Sequence, residues 1–218
     1  MADPEHGAIE LGLRTPRSAA IAGIIFAALF TISVVLLEVV IRADSAESRA
    51  WLVNNSGAVT FGLALVPFAG IAFLWFIGVV RDRLGRLEDQ FFATVFFGSG
   101  LLFLGLSFVS AAIAAGMVSS SASVDVNLWH SDAFTMGRDV MLALVNVYAI
   151  RMAGVFMLTL ATVWIRTKRM PRWIAFMTYV LAGVLLVTID RTGWVTLVIP
   201  AWTLVVSIYI LTHTHGLE

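Results

Sequence analysis

The chain contains no cysteine. Disulfides, thiol redox chemistry, cysteine-ligated metals and a cysteine nucleophile are excluded with it. Charge is also scarce: Asp, Glu, Lys and Arg make up 13% of the residues, against about 25% in a typical soluble domain. Lysine occurs once, as Lys168 in a connecting segment, so no apolar run carries the amine that a retinal Schiff base needs. The H-E-x-x-H, G-x-S-x-G and P-loop patterns are absent, as is an intramembrane histidine pair for haem. No apolar run holds two carboxylates for a proton relay. The net charge of zero gives no electrostatic footprint for nucleic acid. No cofactor is expected, and these absences lean away from an enzyme.

What is present is apolar. Hydrophobic residues make up 60% of the 218 positions, and the mean hydropathy is +0.93. They fall in blocks long enough to cross about 30 Å of hydrocarbon at about 1.5 Å per residue. Without the period-2 alternation of barrel strands, lipid leaves only helices. The sequence predicts an all-α, six-transmembrane-helix bundle with spans near Ser18–Ile41, Gly57–Val80, Phe91–Val118, Val140–Ile165, Trp173–Ile189 and Gly193–Thr212. Residues 18–212 form one membrane domain, 1–17 a cytoplasmic leader and 213–218 a tail whose Leu217–Glu218 reads as a cloning remnant. The leader has the basic start of a signal sequence. Its apolar run is too long for a typical signal core, so an uncleaved first span is expected.

Basic residues orient the array. Arg14, Arg17, Arg81, Arg83, Arg86, Arg166, Lys168, Arg169 and Arg172 fall on one side; Arg42, Arg49, Arg138 and Arg191 fall on the other. The positive-inside rule then puts both termini in the cytoplasm.

Arg151 stands alone. It is the one full charge between Val140 and Ile165, near the midplane, where insertion costs about 2.5–3.5 kcal/mol. Side chains lean toward the N-terminus of their own helix, so Arg151 leans outward and Glu38, at the end of span one, leans inward. A Glu38–Arg151 pair is feasible, with Asp139, Asp132 or a bound anion as alternative partners. Tyr148 lies three residues before Arg151 on nearly the same face, and Asn146 shares a face with Asp139. An interhelical staple at Arg151 carries about the same weight as a ligand site.

Other features have bland readings. Pro67 and Pro200 sit mid-span, where proline is common in membrane helices. Small residues crowd span three (Gly98, Ser99, Gly100, Gly105, Ser107, Ser110) and suit close helix packing. Trp51, Trp129, Trp164, Trp173 and Trp194 lie where interfacial anchors are expected. His130 reads as a solvated loop residue, and His213 with His215 lacks a third metal ligand.

Two stretches, Gly85–Leu104 (GRLEDQFFATVFFGSGLLFL) and Arg151–Pro171 (RMAGVFMLTLATVWIRTKRMP), resemble small six-span integral membrane proteins of actinobacterial type. That family carries no assigned activity. The resemblance implies a bacterial inner-membrane location and no mechanism.

The expected function is binding or transport. An outward-opening polar cavity around Arg151, with Glu38, Tyr148, Asn146 and Asp139, would hold a small anionic or amphiphilic molecule. The alternative is a regulatory or structural protein that binds a lipid or sterol-like ligand, with Arg151 as a staple. Membrane lipids are the expected partners, and a homo-oligomer is plausible from the small-residue faces.

Overall fold

The computed structural model describes residues 15–41, 55–84, 90–121, 132–167, 170–188 and 194–213. The described residues are helical apart from short connections. The elements are α1 (Thr15–Ile41), α2 (Ser56–Leu84), α3 (Gln90–Ser121), α4 (Asp132–Thr167), α5 (Arg172–Val187), a 3-10 turn (Trp194–Leu197) and α6 (Val198–His213). Five segments are long and apolar enough to cross a membrane; α5, with 16 residues, is shorter. The leader to residue 14, Trp51, Trp129, His130, His215 and Leu217–Glu218 lie outside the described residues, as do the side chains of Glu38, Trp194 and His213.

The fourth helix starts earlier than its apolar run, at Asp132 rather than Val140. An aspartate in a first turn favours the positive end of the helix dipole, so a polar segment extends the apolar one. Pro200 also differs from its mid-span reading. It is the third residue of α6, directly after the 3-10 turn. First-turn N–H groups have no partner within the helix, so the missing proline donor costs nothing there. Pro67 does lie inside its helix, α2.

Each helix packs on its sequence neighbour from α1 through α5, and α6 returns to α1. Lipid supplies no hydrophobic drive between helices, so association rests on close packing and polar contacts. Aromatic rings do most of that packing. Phe73 of α2 has Phe26 of α1 at 4.5 Å between centroids, Phe156 of α4 at 5.3 Å and Phe103 of α3 at 5.5 Å. Phe156 in turn stacks on Phe96 at 4.6 Å and meets Trp202 of α6 edge-on at 6.2 Å. Trp164 joins this cluster 6.1 Å from Trp202 and is only 6% exposed. It is a core residue, not an interfacial anchor, whereas Trp173 is exposed.

Polar contacts hold the remaining seams. Trp202 Nε1 donates to Thr178 Oγ1 at 2.9 Å, tying α6 to α5. The hydroxyls of Thr162 and Tyr179 lie 2.8 Å apart between α4 and α5. Two cations rest on rings of α3: the Arg81 guanidinium lies 4.7 Å from the Phe97 centroid and that of Arg166 4.5 Å from Phe92. These contacts bring the ends of α2 and α4 to the start of α3.

The small residues of α3 divide by role. A Cβ on Gly100 would meet Ile77 at 2.7 Å and Phe156 at 3.2 Å, so this glycine permits the approach of α2 and α4. Gly98, Gly105 and Gly116 face open space. On α1, a Cβ on Gly23 would collide with Ser207 Oγ of α6, a buried hydroxyl with no partner among the described residues.

Gly23→Ala should therefore force α1 and α6 apart, at a cost of roughly 1–3 kcal/mol. Its melting midpoint in detergent should fall by several degrees. Ser207→Ala alone should be neutral or better, and the double variant should recover part of the loss. Equal loss in the single and double variants would show that the close contact does not set the α1–α6 spacing.

Candidate functional site

The local event that builds the site is a change of helix type. Between Leu144 and Ala149, α4 widens into a π turn. The Ile150 N–H bonds to Val145 O, five residues back rather than four. Such turns insert a residue into the helix and commonly mark functional positions. Each extra residue rotates the remainder of the helix by about 100° relative to an unbroken α-helix. Facing relations read from an α-helical period therefore fail across this segment.

A cavity of about 70 Å³ lies where α1 and α3 finish and α4 begins. Its apolar wall includes Phe30, Val34 and Leu37 of α1, with Val66 of α2. Its polar groups are Ser33 of α1, Ser107 and Ser110 of α3, Asn146 in the π turn, and Thr196 before α6. A water needs about 10–15 Å³ by a comparable measure, so the space suits a few waters or one small head group.

The serines are already committed as donors. Ser33 Oγ donates to Leu29 O at 2.9 Å, and Ser107 Oγ to Phe103 O at 2.7 Å. Ser110 Oγ donates across the helix pair to Met141 O at 3.1 Å, fixing the α3–α4 wall. Asn146 is different. It is 5% exposed, lines the cavity, and its side chain makes no hydrogen bond among the described residues. Thr196 is 4% exposed, and its Oγ1 is likewise buried without a partner.

Of the residues singled out in the sequence, Asn146 lines this cavity. Arg151 and Tyr148 do not. Tyr148 is 57% exposed on the outer face of α4. Arg151 is partly buried, and its Nη1 donates to Val147 O of its own helix at 2.6 Å. The side chain does lean toward the helix N-terminus, as its geometry requires. Asp139 lines an open surface groove with Asp132, Thr135 and Met136, apart from Asn146. The proposed Glu38 partner lies outside the described side chains. Among the described residues no three His, Asp or Glu side chains gather where they could hold a metal.

The sequence reading missed Ser33, Ser107, Ser110 and Thr196 as a group. Ser107 and Ser110 were legible as small polar positions three apart on one helix face. Nothing in the sequence marks the π turn that presents Asn146 to them.

The fold and cavity define a helical protein with membrane-length apolar helices and a neutral polar recess within the bundle. Comparison with protein-family models, curated proteins and solved structures finds no match.

A buried amide without a partner costs about 1–3 kcal/mol. Asn146→Leu removes that cost and fills part of the recess. With nothing added, it should raise the melting midpoint by roughly 2–4 °C, the shift that about 1 kcal/mol produces in a chain of this size. A fall would mean that Asn146 supports the resting fold.

Proposed function

We propose that this is an integral membrane protein of the bacterial inner membrane with six spans and both termini in the cytoplasm. It binds a small amphiphilic molecule in the Asn146 cavity, either for passage across the membrane or as a regulatory ligand. The single observation that carries the binding reading is Asn146, a buried amide that lines a cavity and has no partner among the described residues. Hydrocarbon offers such a group nothing, and a native fold retains few unmatched buried polar groups.

For the span count, α5 provides the sixth crossing. Its 16 residues cover about 24 Å at 1.5 Å per residue, short of the usual core, a mismatch that local thinning accommodates at modest cost. For the orientation, the basic residues near the ends of α2 and α4 and the start of α5 fall on the cytoplasmic side. Reporter fusions to the N- and C-termini should both be active in the cytoplasm; a periplasmic signal from either would overturn the topology.

Arg151 has a structural role in this reading, binding a backbone carbonyl of the π turn. That contact favours the regulatory version, in which the ligand is lipid-like and the charge is not part of its site. The small size of the cavity points the same way, since it seats a head group more readily than a whole polar solute.

The test is native mass spectrometry of protein released from membranes in mild detergent. Wild type and Arg151→Leu should both carry a bound species, and Asn146→Leu should lose it. Loss in Arg151→Leu with retention in Asn146→Leu would move the site to the arginine.

A further inference from the structure

The cavity's hydrogen-bonding inventory points to a chemical class of ligand. We propose that it selects a neutral molecule presenting a hydroxyl group, an inference that rests on the binding reading above. No residue lining the cavity carries a charge. An anion brought there would meet no cation and would face the Oγ atoms of Ser33, Ser107 and Ser110. Each of these has its proton directed at a backbone carbonyl. A serine oxygen used in this way keeps lone pairs and has no donor left. The serines therefore present acceptors, and they ask the ligand for a donor.

Asn146 adds both kinds of group. Its amide offers two N–H donors and one carbonyl acceptor, none of them engaged among the described residues, and the Thr196 hydroxyl in the same lining is also without a partner among them. A hydroxyl matches this set as one group. It donates its single proton to the Asn146 carbonyl or to a serine oxygen, and accepts from the Asn146 amide. An ether or ketone of the same shape can only accept. It satisfies the amide N–H and leaves the acceptor wall unmatched. Phe30, Val34, Leu37 and Val66 surround that point with hydrocarbon, which suits the carbons next to the hydroxyl, so the class is a lipidic alcohol whose hydroxyl end is seated at Asn146.

The difference between hydroxyl and ether is open to direct measurement. A site built around a hydrogen-bonded hydroxyl rejects the analogue lacking it because buried groups are left unpaired. The probes are 1-decanol and decyl methyl ether, titrated against the full chain in detergent, with the melting midpoint as readout. Saturable binding to the folded state raises that midpoint. The expected result is a saturable rise with 1-decanol at concentrations at least about tenfold below those the ether needs. Asn146→Leu should erase the preference, and the isosteric Thr196→Val should weaken it.

Equal potency of alcohol and ether in wild type, with both lost in Asn146→Leu, overturns the hydroxyl selection and leaves the binding site standing. No saturable rise with either probe, or rises that neither variant alters, removes the binding reading as well.

Discussion

The structure depends on one constraint: a polar group inside the spans must find its partner within the bundle, because lipid offers none. Six hydroxyl side chains meet it locally. Ser33, Ser99, Ser107, Thr159, Thr178 and Thr203 each return a proton to the backbone carbonyl four residues earlier. A hydroxyl on Cβ is short enough to reach that carbonyl, so serine and threonine cost the membrane little. Asparagine has no such solution. Its planar amide lies one bond farther out and carries two donors and an acceptor, too many for one backbone oxygen. Asn146 therefore needs something from another helix or from a ligand, and the helices around it leave a space there instead.

The same constraint explains how the helices are held together. The seams that carry polar contacts use groups whose local bonding leaves capacity over. Thr178 Oγ1 donates to Ile174 O and accepts from Trp202 Nε1, so one hydroxyl serves its own helix and a neighbour. Elsewhere the joining is done by rings. Phe73 and Phe156 touch partners from α1, α2, α3, α4 and α6, which makes the middle of the bundle an aromatic cluster. Offset and edge-on rings add attraction that depends on geometry rather than on water. That suits a medium in which burial alone supplies no driving force. The cavity begins where this cluster ends, at Phe30, and gives way to small and hydroxyl-bearing residues.

The helices were legible in the sequence because hydropathy reports the solvent directly. Charge-free runs such as Ile21–Leu37 and Val59–Val80 have one stable form in lipid. Less legible was whatever depends on neighbours. Trp164 has the placement of an interfacial anchor, yet it packs inward against the tilted ring of Trp202. Pro200 reads as an ordinary mid-span proline until the 3-10 turn places it in a first helical turn. At the site, Asn146 was identifiable as an intramembrane polar group, but its wall mates were not. A π turn has no residue signature here, and with the helical period broken, the α-helical pairing of Asn146 with Asp139 does not hold.

Arg151 and the π turn meet at one backbone carbonyl. Where a helix passes from five-residue to four-residue spacing, the acceptors shift by one and a carbonyl is passed over. At mid-span such an oxygen is costly to leave bare. A guanidinium brings five donors in a fixed fork and keeps its charge under all conditions. Arg151 leans back one turn and donates from Nη1 to Val147 O, inside the π turn. The charge is thereby held on the flank of α4, off the cavity that the turn opens. The arginine thus finds one of its acceptors within its own helix. On the cavity side of the same turn the Asn146 side chain has no such partner among the described residues, and neither has Thr196 Oγ1 in the same lining.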